Sequence, residues 1–116
     1  MKIKNIHVQE RYNKIINLFK NRVYSDYKDN VQNLIIFGSV ARGEAKKNSD
    51  IDILAIWKGD KLEGWHSLEL IAFNILLETR VYISLKIITS SEYKKLLHEN
   101  NHFIKTISRE GILIAS

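Results

Sequence analysis

The chain contains no cysteine. That excludes a disulfide scaffold, a cysteine-based zinc finger, an ordinary iron–sulfur site and a thiol nucleophile, and it fits a reducing cytoplasm. There is also no proline, and no low-complexity tract, internal repeat or linker is visible. Apolar runs are only a few residues long, such as Ile53 to Trp57, far below the roughly 18 residues of a membrane span. Met1-Lys2-Ile3-Lys4-Asn5 lacks the apolar stretch and small-residue site of a signal peptide. A cytoplasmic protein without a membrane anchor is expected.

What is present is one domain's worth of chain, 116 residues, of which 45% are hydrophobic and 27% charged. A chain of this size buries roughly two-thirds of its unfolded surface, so a single core over residues 1–116 is expected. Eighteen Lys and Arg against thirteen Asp and Glu give +5. A positive surface suits nucleotide phosphates, nucleic acid or an acidic protein. The lysines are spread along the chain, however, and a Lys-rich protein with no such partner has the same composition.

Val8, Tyr12, Ile15, Ile16, Phe19, Val23 and Tyr27 fall at spacings of three and four, which predicts a helix from about Ile6 to Lys28. Leu34-Ile35-Ile36-Phe37, ended by Gly38, reads as a short buried strand. Ser39 to Ala45 can form a turn of helix, and Asp50 to Trp57 is a second strand rich in Ile. Leu62 to Thr79 is a long helix apolar on several sides, buried on several sides or awaiting a partner. Arg80 to Ile88 is a third strand. Thr89-Ser90-Ser91-Glu92 has the capping-box spacing, so a helix follows to about Glu99. A last helix, Phe103 to Glu110, is expected to end at Gly111 as a C-cap. Ile112-Leu113-Ile114 reads as a tail or an edge strand. The order predicts an α+β fold, a small mixed β-sheet with helices packed on one face and the other face left for a site.

The chemistry is concentrated in Gly38-Ser39-Val40-Ala41-Arg42-Gly43-Glu44 and Ser49-Asp50-Ile51-Asp52-Ile53-Leu54. Gly38 lets another group approach the backbone. Ser39 opens a helical turn whose N–H groups suit phosphate, and Arg42 adds a permanently charged, planar donor set. Asp50 and Asp52 stand two apart on a strand, so both carboxylates face one side, opposite Ile51 and Ile53. Paired carboxylates call for a hard divalent cation. Beside a phosphate cradle they form the apparatus of phosphoryl or nucleotidyl transfer. Gly-Ser loops and Asp-x-Asp edges are each common structural features, but their joint spacing arises in about one chain in 1,000 of this length.

Gly38-Ser39, ten residues, then Asp50-Ile51-Asp52 resembles the signature of the polymerase-β-type nucleotidyltransferase superfamily. The surrounding Gly-Ser-Val-Ala-Arg-Gly-Glu and Ser-Asp-Ile-Asp-Ile-Leu are similar to its minimal, antitoxin-like branch, many of whose members pair with HEPN-domain toxins. Residues 103–112 resemble the closing helix of such proteins. The resemblance implies a magnesium-dependent enzyme using ATP or another NTP. Its acceptor would be a hydroxyl on a small helical HEPN-type partner, or its site would be completed by a homo-oligomer mate. Asp50 and Asp52 would hold Mg2+ and, with Ser39, carry catalysis. Gly38, Ser39, Arg42 and Lys86 would bind the nucleotide, with Arg42 equally suited to bracing the loop.

One position departs from the family pattern. Catalytic members place a third Asp on the next strand, facing the first two. Here Tyr82, Ser84 and Lys86 occupy that face, and no acidic residue lies between Glu78 and Glu92. Ser84 is a weak metal ligand and no general base; Lys86 would compete with a metal or hold a phosphate. The alternative is therefore a degenerate nucleotidyltransferase that neutralises its partner by contact. A nucleic-acid-binding protein would show aromatic–basic clustering on one surface, and none is visible. His7, His66, His98 and His102 lack convincing metal-ligand spacing. Trp57 and Trp65 fit core or rim packing better than a base-stacking wall.

Overall fold

Tyr12, Ile15, Ile16, Phe19 and Val23 form the buried stripe of α1 (Glu10–Tyr27) in the computed structural model, which describes residues 10–46 and 48–116. The expected helix start at Ile6, with His7 and Val8, lies outside the described residues, as does Lys47 of the loop between the motif halves. β1 (Val31–Phe37) is longer than the four-residue apolar run and pairs antiparallel with β2 (Ile51–Trp57). β3 (Ile83–Thr89) lies parallel to β2. Parallel neighbours need a crossover, which α3 (Lys61–Thr79) supplies. β4 (Ile112–Ala115) joins as an edge strand antiparallel to β1. The sheet order is β3-β2-β1-β4. The fold class is the expected α+β with a mixed sheet.

The layering differs from a sheet covered on one face. Ile51, Ile53, Ala55 and Trp57 of β2 point into a core with α1 and α3. Leu54 and Ile56 point the other way, with Ile35 and Ile88, and are too apolar to face water. α4 (Ser90–His98) and α5 (His102–Glu110) cover them, through Tyr93, Leu96, Ile104 and Ile107. The second face is thus covered in part, and the site occupies the end that these helices leave open.

Local signals set the helix ends. Asp60 caps α3 by accepting from the Glu63 N–H at 3.0 Å, and Arg80 ends it in the left-handed conformation (φ 63°). Thr89 and Glu92 form the predicted capping box. Gly111 follows α5 but is not a left-handed cap: its φ is −69° and its ψ 149°. Glycine is needed there for space, because a β-carbon would fall 2.5 Å from the Ile107 carbonyl oxygen and 2.8 Å from Ile35 Cγ2. Along α3, Leu62, Leu70 and Leu77 are 62%, 61% and 65% exposed, and Trp65 and Phe73 are also exposed. Trp57 is buried against α3, as core packing predicts.

Candidate functional site

β1 stops at Phe37 because Gly38 turns the chain with φ +75°. The short helix α2 (Gly38–Ala41) follows. The Arg42 N–H donates to the Gly38 carbonyl at 3.1 Å and the Glu44 N–H to the Ser39 carbonyl at 2.8 Å. A β-carbon on Gly38 would lie 2.2 Å from Oδ2 of Asp52. The bend and the carboxylate therefore touch, and only glycine permits it. The connecting loop is tethered to α1: the buried Tyr12 hydroxyl donates to the Lys46 carbonyl at 2.7 Å. Ser49 Oγ accepts from the Lys46 N–H at 2.7 Å. The Ile51 N–H donates to the Tyr82 carbonyl at 3.0 Å. These bonds fix where Asp50 leaves the loop.

Asp52 sits half-buried, between Phe37 on β1 and Ser84 on β3 in the sheet register. Asp50 precedes β2 and is exposed. The two carboxylates are close enough to act on each other. Burial pushes the Asp52 carboxyl above its ordinary range, the Asp50 charge pushes it further, and Arg42 opposes both. Arg42 is shared: its Nε lies 2.8 Å from Glu44 and its Nη1 3.7 Å from Glu110 at the end of α5. It braces the loop against α5 while facing Asp52. Two hard oxygen donors, pressed together and only partly neutralised, fit a divalent cation such as Mg2+. The space at Gly38, which a β-carbon would fill, keeps the Asp52 carboxylate in that position.

Beyond Ser84 on the same side of β3, the Lys86 ammonium lies 4.6 Å from the centre of the Phe103 ring. Phe103 packs edge-on against Phe37 at 5.4 Å between ring centres. Thus α5 walls the site with Phe103 at its start and Glu110 at its end. Phe37, Phe103, Glu110 and Tyr12 were not expected at the site. Their periodicity marks the two aromatic residues and Tyr12 as packed, but not which sheet face α5 covers or where α1 meets the loop. Gly38, Ser39, Arg42, Asp50 and Asp52 come together at one end of the sheet, and Lys86 stands farther along β3.

Among the described residues, no third carboxylate completes the pair. Ser84 is the register partner of Asp52, and among the described residues no group of three His, Cys, Asp or Glu could hold a metal. A groove of about 510 Å3 between α4 and α5, lined by Leu96, Ile104, Lys105 and Arg109 among others, includes none of the predicted site residues. The site is instead an open shelf at the sheet end.

Residues 16–114 match the nucleotidyltransferase domain family. The chain belongs to this family. Over 43 residues it is 44% identical to a Methanocaldococcus jannaschii protein named "Putative protein adenylyltransferase". That stretch is 37% of this chain and 43% of the relative, so the match spans less than half of the curated relative's length. Among solved structures, a crystal structure described as a "putative nucleotidyltransferase" from Sulfolobus solfataricus is 25% identical, covers 76% of each chain and superposes with a TM-score of 0.57. A second, described as a toxin-antitoxin with AMP-PNP, is 22% identical and covers 90% of this chain and 72% of its own. Its TM-score of 0.55 shows a shared fold. Among the described residues, no helix of this nucleotidyltransferase-family chain is long and apolar enough to cross a membrane.

Proposed function

We propose that this nucleotidyltransferase transfers AMP from ATP, or NMP from another NTP, to a hydroxyl of a partner protein, and that the partner is a small helical toxin of the HEPN type. The observation that carries this is the contact between Gly38 and the Asp52 carboxylate, with Asp50 beside it. It unites a phosphate-sized bend with a divalent-cation donor pair. The relative named as a protein adenylyltransferase and the toxin-antitoxin neighbour with AMP-PNP support the choice of nucleotide and acceptor.

In this scheme Asp50 and Asp52 would hold Mg2+, which would supply charge neutralisation to the triphosphate. Gly38 and Ser39 receive the phosphates at the bend. Lys86 supplies a further cation to them from the β3 side, and Arg42 holds the bend to α5. The acceptor oxygen bonds to the α-phosphorus as the bond to the bridging oxygen of the β-phosphate breaks, and pyrophosphate leaves. Ser84, opposite Asp52 in the register, cannot take the hydroxyl proton as a carboxylate would, and the proton leaves the acceptor oxygen as the new bond forms. The half-exposed α3 stripe of Leu62, Leu70, Phe73 and Leu77 offers the partner a surface.

A second reading is favoured by Ser84 in place of an acid: a domain that restrains its partner by contact alone. Co-purified complex incubated with α-labelled ATP separates them. Label on the partner, abolished by Asp50→Asn with Asp52→Asn, supports transfer. An unlabelled partner, bound equally well by wild type and double variant, supports contact.

A further inference from the structure

We infer that the site takes one divalent cation per bound nucleotide, because position 84 lacks the carboxylate that a second ion needs. This rests on the nucleotide-site reading given above and sharpens it. Two-metal sites hold their ions about 3.5–4 Å apart, and like charges at that distance require several anionic oxygens between them. The triphosphate oxygens are common to a one-ion and a two-ion site, so the protein's own donors decide, and here the shelf supplies two carboxylates, Asp50 and Asp52, enough to anchor one divalent ion. The residue opposite Asp52 in the sheet register is Ser84, a neutral hydroxyl.

The neighbouring groups do not make up the difference. Glu44 and Glu110 both engage Arg42. Glu69, on α3, acts on Tyr82 together with Asp50, but it does not join the two aspartates in any metal-sized group among the described residues. The next side chain on that side of β3 is Lys86, a cation that rests over the Phe103 ring at 4.6 Å. A second divalent ion beside Ser84 would meet the positive Lys86 on one side and, on the other, only Asp52, a carboxylate already engaged by the first ion.

The test counts ions rather than turnover. The full chain is dialysed to equilibrium against Mn2+ and α,β-methylene ATP, and the excess of each inside the bag is measured. One Mn2+ per bound nucleotide is expected in the wild type, and two in Ser84→Asp, checked for native circular dichroism. Two per nucleotide in the wild type would overturn the inference while leaving the nucleotide site standing. A folded Ser84→Asp that still binds one overturns it as well. No bound Mn2+ or nucleotide in the wild type overturns the nucleotide-site reading itself. The wild-type count decides the matter even if the variant does not fold.

Discussion

Gly38 and Asp52 are in contact across the β1–β2 pair, and a single β-carbon on Gly38 would overlap the Asp52 carboxylate at 2.2 Å. Gly38→Ala also forces a non-glycine residue to φ +75°, at a cost of about 1–3 kcal/mol. The variant is expected to lose most binding of α,β-methylene ATP with Mn2+ while its far-ultraviolet circular dichroism stays native. Calorimetric titration of the two proteins checks this. Unchanged affinity would place the nucleotide elsewhere.

Lys86→Met removes a cation from the site face without opening a hole, since the side chain is exposed. A charged hydrogen bond to phosphate is worth about 1.5–3 kcal/mol, so nucleotide affinity should fall roughly ten-fold or more, and its salt dependence should weaken. Phe103→Leu keeps the charge but removes the ring beneath it and the edge contact with Phe37. It should cost a smaller factor, about two- to five-fold, since an exposed cation–π contact contributes about 0.5–1 kcal/mol.

The capping box at α4 predicts a pH effect away from the site. The Glu92 carboxylate is held below its ordinary range first by the Thr89 backbone N–H and then by Lys61, at 3.0 Å. A group whose folded pKa is lowered stabilises the fold above its unfolded pKa, and this is lost as pH falls through the folded value. Melting temperature followed from pH 7 into the acid range should therefore drop further in the wild type than in Glu92→Gln. Thr89→Ala, which removes the reciprocal bond, should cost about 1 kcal/mol at neutral pH.

Trp57 and Gly64 give a packing test. A β-carbon on Gly64 would fall 2.6 Å from the indole Cδ2, and Trp57 is 1% exposed. Alanine favours a helix over glycine by about 1 kcal/mol, but overpacking a rigid ring costs about 1–3 kcal/mol. Gly64→Ala should lower the melting temperature and shift Trp57 fluorescence.

On α3, Leu70→Lys with Phe73→Lys alters exposed positions only. Stability should change by less than about 1 kcal/mol, while association with the helical partner falls sharply in a pull-down. Equal recovery of the partner would clear this stripe of the role.

Much of this fold could be read from residue order. Tyr12 to Val23 gives α1 by its spacing, Thr89 and Glu92 mark the start of α4, and Gly38-Ser39 with Asp50 and Asp52 points to one site. Register was harder to read. Asp52 lies beside Ser84 only because α3 returns the chain for parallel pairing, and alternation alone cannot choose between neighbouring rungs. The second helical layer was missed because α5 is amphipathic in a way that suits either face of a sheet. Its true face is fixed by Ile35, Leu54, Ile56 and Ile88, whose burial is a property of the whole assembly. Gly111 is the C-cap of α5, as its place after Glu110 suggests, but glycine is needed there to let Ile35 and the Ile107 carbonyl come close rather than for a left-handed φ.

α5 lies far along the chain from the bend it encloses: Phe103 meets Phe37, and Glu110 meets Arg42. During translation, Asp50 and Asp52 emerge from the ribosome well before the segment that walls them in. A nascent chain would hold its bend without the aromatic and ionic contacts that brace it until α5 has been released and docked, so Phe37 and Arg42 wait for partners made much later in synthesis.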